Sequence, residues 1–250
     1  MPILSMKRYV INMRLRNRAN KLPQCSAVIV AAGESRRMQG VDKLFINVCG
    51  VPVLAHTLKP FQASQLISEI IIVTQEAFFE QVEDICTRFG ILKVSETVKG
   101  GASRLESVIN GVYSTAKSSS LIAIHDGARP CISIEIIEKT IMTASKYNAA
   151  APGIPITSTV KRAYNKIITE TIDRENLFEI QTPQIFASEL IKAALTNVYR
   201  KSINVTDDCS AVELLGASVY ITDGSPNNVK LTSPDDIPTL ERLLSGGQDS

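Results

Sequence analysis

The residues best suited to catalysis follow the first apolar run of the chain. Gly33 allows another group to approach the backbone closely, and Ser35, Arg36, Arg37 and Lys43 follow it. Arginine binds phosphate through a fork of N–H donors, and lysine adds a compact positive charge. A nucleoside triphosphate brings several negative charges together, so this loop predicts a phosphate-binding site.

The loop differs from two common phosphate-binding motifs. Ser35 occupies the second glycine position of the dinucleotide-binding fingerprint, and the loop does not end in the Gly-Lys-Ser/Thr of a Walker A motif. An alternative interpretation is therefore a tight strand-to-helix turn whose basic side chains are merely solvated. Residues elsewhere in the chain must decide between the two.

Composition indicates one globular domain with an aliphatic core. The chain has 250 residues, of which 44% are hydrophobic and only 5% aromatic. Its net charge of +2 includes six basic residues and no acid within residues 1–24, so the remainder carries −4. A mildly acidic body argues against a nucleic-acid-binding face. We interpret residues 1–24 as a basic, disordered leader, with an organellar import segment as the alternative.

The cysteines and the hydropathy pattern indicate a cytoplasmic protein. Five cysteines are widely spaced and form no Cys-x-x-Cys pair, which is typical of reduced thiols. We find no run of 18 apolar residues, so we expect no membrane-spanning segment and no membrane partner.

Strand-like and helix-like segments alternate from residue 26 onward. This alternation predicts an α/β fold with a Rossmann-like, mostly parallel sheet and helices on both faces. The predicted strands are 26–31, 70–74, 91–94, 121–125, 149–154 and 219–222, and the predicted helices are 52–62, 78–89, 103–116, 133–147, 188–199, 207–215 and 234–244.

Residues 158–173 interrupt the alternation. Segments 158–163 and 167–173 have strand-like composition and are separated by Tyr164, Asn165 and Lys166, which predicts a β-hairpin. Such a hairpin cannot continue the βαβ series, so we expect a projecting arm at about 157–175 within one domain of residues 25–245. A projecting arm commonly packs against a second subunit.

Several motifs in the chain together carry a specific resemblance. The first loop resembles the Ala-Ala-Gly-x-x-x-Arg-Met signature of nucleotidyltransferases that activate sugar phosphates, followed by a lysine. The other motifs resemble, in order, those of the 2-C-methyl-D-erythritol 4-phosphate cytidylyltransferase family, and together they span about residues 26–244. They are Gly100-Gly101-Ala102-Ser103-Arg104-Leu105-Glu106-Ser107, His125-Asp126-Gly127-Ala128-Arg129-Pro130, Thr159-Val160-Lys161-Arg162, Asp173-Arg174, Gln181-Thr182-Pro183-Gln184, Thr206-Asp207-Asp208 and Asn228-Val229-Lys230-Leu231-Thr232.

The resemblance implies an activity in isoprenoid precursor synthesis. Such enzymes join CTP to methylerythritol phosphate, release pyrophosphate, and use a divalent cation, usually Mg²⁺. A phosphate monoester is already an anionic nucleophile, so positioning and charge neutralisation suffice without a general base. The resemblance also implies a homodimer in which the arm of each chain completes the partner's site.

Each expected site residue is carried over from a matching motif position. The resemblance implies catalytic roles for Arg37, Lys43, Arg174 and Lys230. It implies nucleotide binding by Ala31, Ala32, Gly33, Gly101, Arg104, Ser107 and Asp126. It implies substrate binding by Asp126, Arg129, Thr159, Arg174, Thr182 and Lys230. Asp126 is also the candidate metal ligand, with Mg²⁺ held mainly by CTP phosphates, whereas His125 is expected to be structural.

Two residues have competing interpretations. Asp208 is either a polar contact near the site or the N-cap of the following helix. Arg174 is either a substrate-phosphate ligand or a surface ion-pair partner of Asp173 or Glu175.

Four positions depart from the common family pattern. Asp42 and Leu44 flank the loop lysine, Ala102 stands where an acidic residue is frequent, and Ser158 stands where aspartate is usual. These departures concern the geometry of the nucleotide loop and the arm, and they remove none of the expected charged groups.

Two rival functions remain at this point. A cytidylyltransferase for ribitol phosphate or another polyol phosphate would share the nucleotide loop. Such relatives tend to have Ser-Val-Arg-Pro in place of 127–130 and to lack Thr-x-Lys-Arg. A non-catalytic nucleotide-binding regulator could share the fold, but we would expect it to have lost the cations Arg37, Lys43 and Lys230.

Overall fold

A computed structural model describes residues 23–33 and 43–246. Its strands are β1 (Cys25–Val30), β2 (Asn47–Val48), β3 (Val51–Pro52), β4 (Ile67–Thr74), β5 (Val94–Lys99), β6 (Leu121–Asp126), β7 (Ala149–Pro155), β8 (Val160–Tyr164), β9 (Ile167–Ile172), β10 (Phe178–Ile180), β11 (Gln184–Ala187) and β12 (Tyr220–Asp223). Its α-helices are α1 (Val53–Ala63), α2 (Phe79–Arg88), α3 (Arg104–Ser114), α4 (Ile134–Tyr147), α5 (Ser188–Arg200), α6 (Asp208–Glu213) and α7 (Ile237–Leu244). Short 3₁₀ helices, Glu76–Phe78 and Pro234–Asp236, precede α2 and α7.

The main sheet is mostly parallel, as predicted. Strands β6, β1, β4 and β5 lie side by side and run parallel. Strand β11 pairs antiparallel with both β6 and β7, and so lies between them. Strand β12 pairs parallel with β7, while β10 pairs antiparallel with it. Both β10 and β12 meet β7 at Gly153, so they occupy its opposite edges.

Alternating side chains of the central strands build two cores, one on each face of the sheet. In β1, Cys25, Ala27 and Ile29 belong to one cluster and Val28 belongs to the other. The first cluster includes residues of α1, α2, α4 and α7. The second includes residues of α3, α5 and α6. Burial on both faces explains why these strands are continuous apolar runs.

The hairpin arm is confirmed. Strands β8 and β9 pair antiparallel in a two-stranded sheet of their own. Asn165 and Lys166, at the turn, both have positive φ, of 48° and 65°. Two consecutive positive φ values are characteristic of the tight hairpin turns that match strand twist.

Some predicted elements differ from the structure. The predicted strand 91–94 is wrong, because β5 begins at Val94 and Ile91 is instead a buried side chain in the preceding turn. Strand β5 lies at the sheet edge and is half-exposed. It therefore contains polar residues and lacks the continuous apolar run by which the other parallel strands were predicted. Strands β2, β3, β10 and β11 were not predicted, and they have only two to four residues each.

Most of the predicted leader lies outside the described residues, as do Ser35, Arg36, Arg37 and Asp42. Among the described helices, we find none with both the length and the apolar character needed to cross a membrane.

Candidate active site

A cavity of about 510 Å³ opens where several parallel strands end. It lies beyond the carboxyl ends of β1, β4, β5 and β6, the edge at which open α/β sheets bind ligands. Nine residues expected in the site line it: Ala31, Ala32, Gly33, Lys43, Gly101, Arg104, Ser107, Asp126 and Lys230. Leu44 and Ala102, two of the departures from the family pattern, also line it.

The two backbone loops at one end of the cavity pack closely. A Cβ atom added at Gly100 would lie 2.3 Å from the Cβ of Ala32, and one added at Gly101 would lie 2.2 Å from the Cβ of Glu106. Neither distance is sterically possible without movement. Glycine at both positions therefore lets the loop after β5 approach both the loop after β1 and helix α3.

Side chains of α3 hold the glycine loop in place. The Ser107 hydroxyl accepts a hydrogen bond from the Gly101 N–H at 3.0 Å and donates to the Ser103 carbonyl at 2.9 Å. The Glu106 carboxylate accepts from the Ala102 N–H at 2.7 Å. Ser103 caps the helix by accepting from the Glu106 N–H. The loop is thus fixed before any ligand arrives.

Arg104 is anchored by an aspartate from a distant part of the chain. Its Nη1 and Nη2 donate to the two carboxylate oxygens of Asp208 at 3.1 and 2.8 Å. Asp208 is buried, and this burial raises the pKa of its carboxyl while the Arg104 guanidinium opposes the shift. Burial alone would lower the pKa of Arg104, but the Asp208 carboxylate and other nearby acids raise it.

The N-cap interpretation of Asp208 is wrong. The N-cap of α6 is Asp207, whose carboxylate accepts from the Ser210 N–H at 2.9 Å. The side-chain Oε1 of Gln184 accepts hydrogen bonds from the backbone N–H groups of Asp208 and Cys209, both at 3.0 Å. The side-chain Nε2 of Gln184 donates to the Asp207 carboxylate at 2.9 Å.

Asp126 is the carboxylate of the cavity wall on which several cations converge. Its Oδ2 lies 2.8 Å from the Lys230 Nζ and 3.5 Å from the Arg129 Nε. Burial alone would raise the pKa of Asp126, but Lys230 and the two nearby arginines outweigh it and lower the pKa to about 2. The carboxylate therefore remains ionised at any physiological pH.

The segment that carries Lys230 is tied to the end of β6. The Leu231 N–H donates to the Ala128 carbonyl at 2.8 Å, and the Arg129 Nη1 donates to the Asn228 carbonyl at 2.6 Å. Lys43 Nζ also donates to the Leu231 carbonyl at 2.8 Å. The lysine of the first loop and the lysine of the last motif thus meet at one segment.

Thr182 contacts Asp126 and is almost fully buried. Neither Thr182 nor Arg129 is among the residues that line the cavity, although both were predicted to bind the substrate. The Thr182 hydroxyl accepts from the Asp126 N–H at 3.2 Å and lies 2.9 Å from the Nδ1 of His125. The Asn228 amide donates to the Thr182 carbonyl at 2.9 Å. Burial lowers the pKa of His125 to about 3, so its ring is neutral.

The two arm residues do not reach this cavity within one chain. Thr159 and Arg174 are exposed and are absent from the cavity lining. Arg174 donates from Nη1 to the Thr157 carbonyl at the base of the arm. Neither Asp173 nor Glu175 is its partner among the described contacts, so the surface ion-pair interpretation is not supported.

The donor set fits a weakly held divalent cation. Within the described residues, no group of three or more His, Cys, Asp or Glu side chains could form a metal cage. Asp126 supplies a carboxylate to the cavity wall. One protein oxygen is enough where ligand phosphates and water provide the others, as is usual for Mg²⁺.

Sequence reasoning assigned no role to Gln184 or Asn228. Both are buried amides that link backbone segments around the cavity. Both occur inside motifs that carried the family resemblance, and their buried amide groups require hydrogen-bond partners. The segments that Gln184 and Asn228 connect become apparent only from the hydrogen bonds in the folded structure.

Comparisons with known proteins show which family the chain is similar to. A sequence profile of the 2-C-methyl-D-erythritol 4-phosphate cytidylyltransferase family matches residues 25–245. Proteins of that name from Clostridium acetobutylicum and Clostridium novyi are 42% and 41% identical to the chain over 221 residues. Each alignment covers 87% of this chain, and it covers 96% and 95% of the two relatives, respectively.

A solved structure shares the fold. The crystal structure of 4-diphosphocytidyl-2C-methyl-D-erythritol synthase from Anaerococcus prevotii superposes with a TM-score of 0.80 at 30% identity. The superposition covers 89% of this chain and 96% of that one. The chain therefore belongs to the 2-C-methyl-D-erythritol 4-phosphate cytidylyltransferase family.

Proposed function

We propose that this enzyme transfers CMP from CTP to 2-C-methyl-D-erythritol 4-phosphate. The products are 4-diphosphocytidyl-2-C-methyl-D-erythritol and pyrophosphate, in the synthesis of isoprenoid precursors. Family membership supports the reaction. The observation that carries it is one cavity lined by both a preorganised glycine loop and the Asp126–Lys230 pair.

The glycine-loop end of the cavity suits a pyrimidine nucleotide. Ala31, Ala32, Gly33, Gly101 and Ser107 present small side chains and backbone groups to it. Small groups of this kind let a base approach the backbone closely, and we infer that this base is the single-ring cytosine of CTP. Arg104 is locked to Asp208 and lends positive charge to the same region.

The chemistry is an in-line displacement at the α-phosphorus of CTP. An oxygen of the substrate phosphate forms a bond to the α-phosphorus, the bond to the oxygen bridging to the β-phosphorus breaks, and pyrophosphate leaves. Arg37 and Lys43 neutralise charge that builds on the α-phosphate, while Arg129 and Lys230 orient the attacking substrate. Preorganised donors of this kind typically contribute ~10²–10³ in rate each.

A divalent cation, with Mg²⁺ as our choice, completes the charge balance. When bound, it supplies Lewis-acid stabilisation to the phosphate oxygens. Asp126 is the residue that would hold it, together with oxygens of CTP. In the described structure this carboxylate is already paired with Lys230, which keeps it ionised and fixed in direction.

The complete site requires a homodimer. Thr159 and Arg174 lie on or beside the arm, away from their own chain's cavity. The arm exposes Tyr164, Ile167 and Ile168, which are 74%, 69% and 62% accessible. Apolar side chains on an exposed hairpin are typical of a surface that a partner covers. The arm then delivers Thr159 and Arg174 to the partner's acceptor phosphate.

The cytoplasm is the compartment we assign to the enzyme. All five cysteines are unpaired in the structure. Free thiols at these positions fit a reducing compartment.

The test is pyrophosphate release from CTP with methylerythritol phosphate, and with ribitol phosphate and other polyol phosphates in parallel. We expect turnover with methylerythritol phosphate and a fall of ~10²–10³ in Arg37→Ala. Product from ribitol phosphate alone would establish the rival substrate. Tight CTP binding without pyrophosphate release would establish the regulator. Unchanged turnover in Arg37→Ala would disprove the role given to the first loop.

A further inference from the structure

His125 has a buried ring with hydrogen-bond partners on both nitrogens. It lies in β6 directly before Asp126 and is 0% exposed. Its Nδ1 lies 2.9 Å from the Thr182 hydroxyl, and its Nε2 lies 3.4 Å from the Arg129 carbonyl. The ring packs against Phe61, with centroids 5.0 Å apart. The fully buried ring is not among the residues that line the cavity.

The partners determine where the hydrogens lie. The Arg129 carbonyl can only accept, so Nε2 must carry the hydrogen of the neutral ring. Nδ1 is then an acceptor, and the Thr182 hydroxyl donates to it. The same hydroxyl oxygen accepts from the Asp126 N–H at 3.2 Å. One continuous chain of hydrogen bonds therefore runs from the Asp126 N–H through Thr182 and His125 to the Arg129 carbonyl.

Both ends of this chain belong to Asp126 and Arg129, for which the family resemblance implies binding of the acceptor substrate. Asp126 and Arg129 also interact directly, at 3.5 Å between Oδ2 and Nε. If the His125 ring were rotated or absent, the Thr182 hydroxyl and the Arg129 carbonyl would both lose their hydrogen bonds to it. The contacts of the glycine loop and of Arg104 do not involve His125.

We infer that His125 is a positioning residue for the acceptor substrate, acting through Thr182 and the Arg129 carbonyl. A second consequence concerns Thr182 itself. Its single hydrogen is committed to His125, so it can meet a substrate hydroxyl only as an acceptor. The inference rests on the proposed function, because the acceptor substrate must be known in order to measure its KM.

The test compares separate KM values for CTP and for methylerythritol phosphate. His125→Phe keeps the ring packing but removes both hydrogen bonds, and Thr182→Val removes the hydroxyl. We expect each to raise the KM for methylerythritol phosphate about tenfold or more, because the loss of even one buried hydrogen bond has about this effect. The KM for CTP should rise less, because the glycine loop and Arg104 do not contact His125 or Thr182. Asp126 is the only expected nucleotide-binding residue in the hydrogen-bond chain. His125→Asn can place an amide oxygen near the former Nδ1, so it should recover most of the loss.

The KM for methylerythritol phosphate of the double variant His125→Phe/Thr182→Val distinguishes a positioning role from a merely structural one. Because the two variants share the loss of the His125–Thr182 hydrogen bond, the double variant should lose less than the two single variants combined. Additive losses, equal rises in both KM values, or no recovery in His125→Asn would overturn the inference.

Folding and the proposed function are controlled separately. Circular dichroism and CTP binding report whether each variant is folded. If His125→Phe does not fold, the comparison of His125→Asn with Thr182→Val still decides, since the inference requires a smaller KM change in the former. A wild-type enzyme that forms no product would instead refute the proposed function.

Discussion

The Lys230 Nζ lies 2.8 Å from the Asp126 Oδ2, and this ion pair joins the end of β6 to the segment that follows β12. The lysine is 39% exposed and the aspartate 12%, so the pair lies at the cavity wall and not in bulk solvent. An approaching phosphate can therefore share the ammonium group with the carboxylate. The pair fixes the direction of Lys230 before the substrate binds.

The first prediction concerns removal of this lysine. Lys230→Ala takes away the cation that orients the acceptor phosphate and leaves Asp126 with less compensation. We expect kcat/KM for methylerythritol phosphate to fall ~10²–10³. We also expect the pKa of Asp126 to rise, because Lys230 is the largest of the groups that lower it. Steady-state pyrophosphate release measures the first effect.

Lys139 provides a matched control. It forms an ion pair with Asp223 on the surface, where both side chains are more than half exposed. Exposed pairs of this kind contribute little, so Lys139→Ala should keep normal kinetics. An equal loss in both variants would mean that charge in general, and not the position of Lys230, matters.

The second prediction concerns the shape of the Arg104 cation. Arg104→Lys keeps the charge but loses the two-point contact with Asp208. We expect the KM for CTP to rise about tenfold, with the KM for methylerythritol phosphate little changed. Arg88→Lys, in an exposed pair with Asp84, is the control and should behave as wild type. A rise confined to the other substrate would refute the placement of Arg104 beside the nucleotide.

Much of this site could be predicted from sequence because its residues follow strands. Asp126 ends a fully buried run, and Gly33 follows another, so the parallel sheet brings them to one edge. The partner of Arg104 could not be predicted in the same way. Asp208 is 104 positions away, and its local pattern equally suited a helix cap, which Asp207 provides instead.

The antiparallel strand β11 shows a second limit of sequence reasoning. Gln184–Ala187 has only four residues and directly precedes α5, so its apolar side chains merge with the helix pattern. Its position between β6 and β7 depends on long-range pairing. That position places Gln184 beside α6, where it supports the partner of Arg104.

The third prediction concerns the glycine loop. In Gly101→Ala, the new Cβ would lie 2.2 Å from the Glu106 Cβ, so the loop or the start of α3 must move. Either movement displaces the Gly101 N–H from Ser107. We expect weaker CTP binding by about tenfold or more. Isothermal titration with CTP measures it, and wild-type affinity would show that the loop does not contact the nucleotide.

The fourth prediction concerns pH and Asp236. Its carboxylate accepts from the N–H groups of Thr232 and Ser233 at 2.7 and 2.9 Å. Burial alone would raise the pKa of Asp236, but these hydrogen bonds hold it below its usual value of 3.8. The stabilisation is therefore complete above that value and is lost as the pH falls through the lower, folded value.

Asp236→Asn tests this stabilisation. We expect it to lower the free energy of unfolding by about 1 kcal/mol at neutral pH, as the loss of a helix-terminal cap does. Urea unfolding over a falling pH series should show the difference from wild type shrinking below the usual carboxyl pKa. Asp235→Asn, at the neighbouring exposed position, is the control. If the difference in the free energy of unfolding between wild type and Asp236→Asn did not change with pH, the negative charge of Asp236 would not be the source of the stabilisation.

The fifth prediction concerns the arm. Replacing Ile167 and Ile168 with serine removes exposed apolar area from the start of β9, so a dimer formed through the arm should weaken. We expect sedimentation to show monomer at concentrations where wild type is dimeric, and activity to fall on dilution, because Thr159 and Arg174 would no longer reach a partner's cavity. Leu92→Ser is the control, since Leu92 is 85% exposed but lies far along the chain from the arm. A monomeric wild type with full activity would refute both the dimer and the roles given to the arm residues.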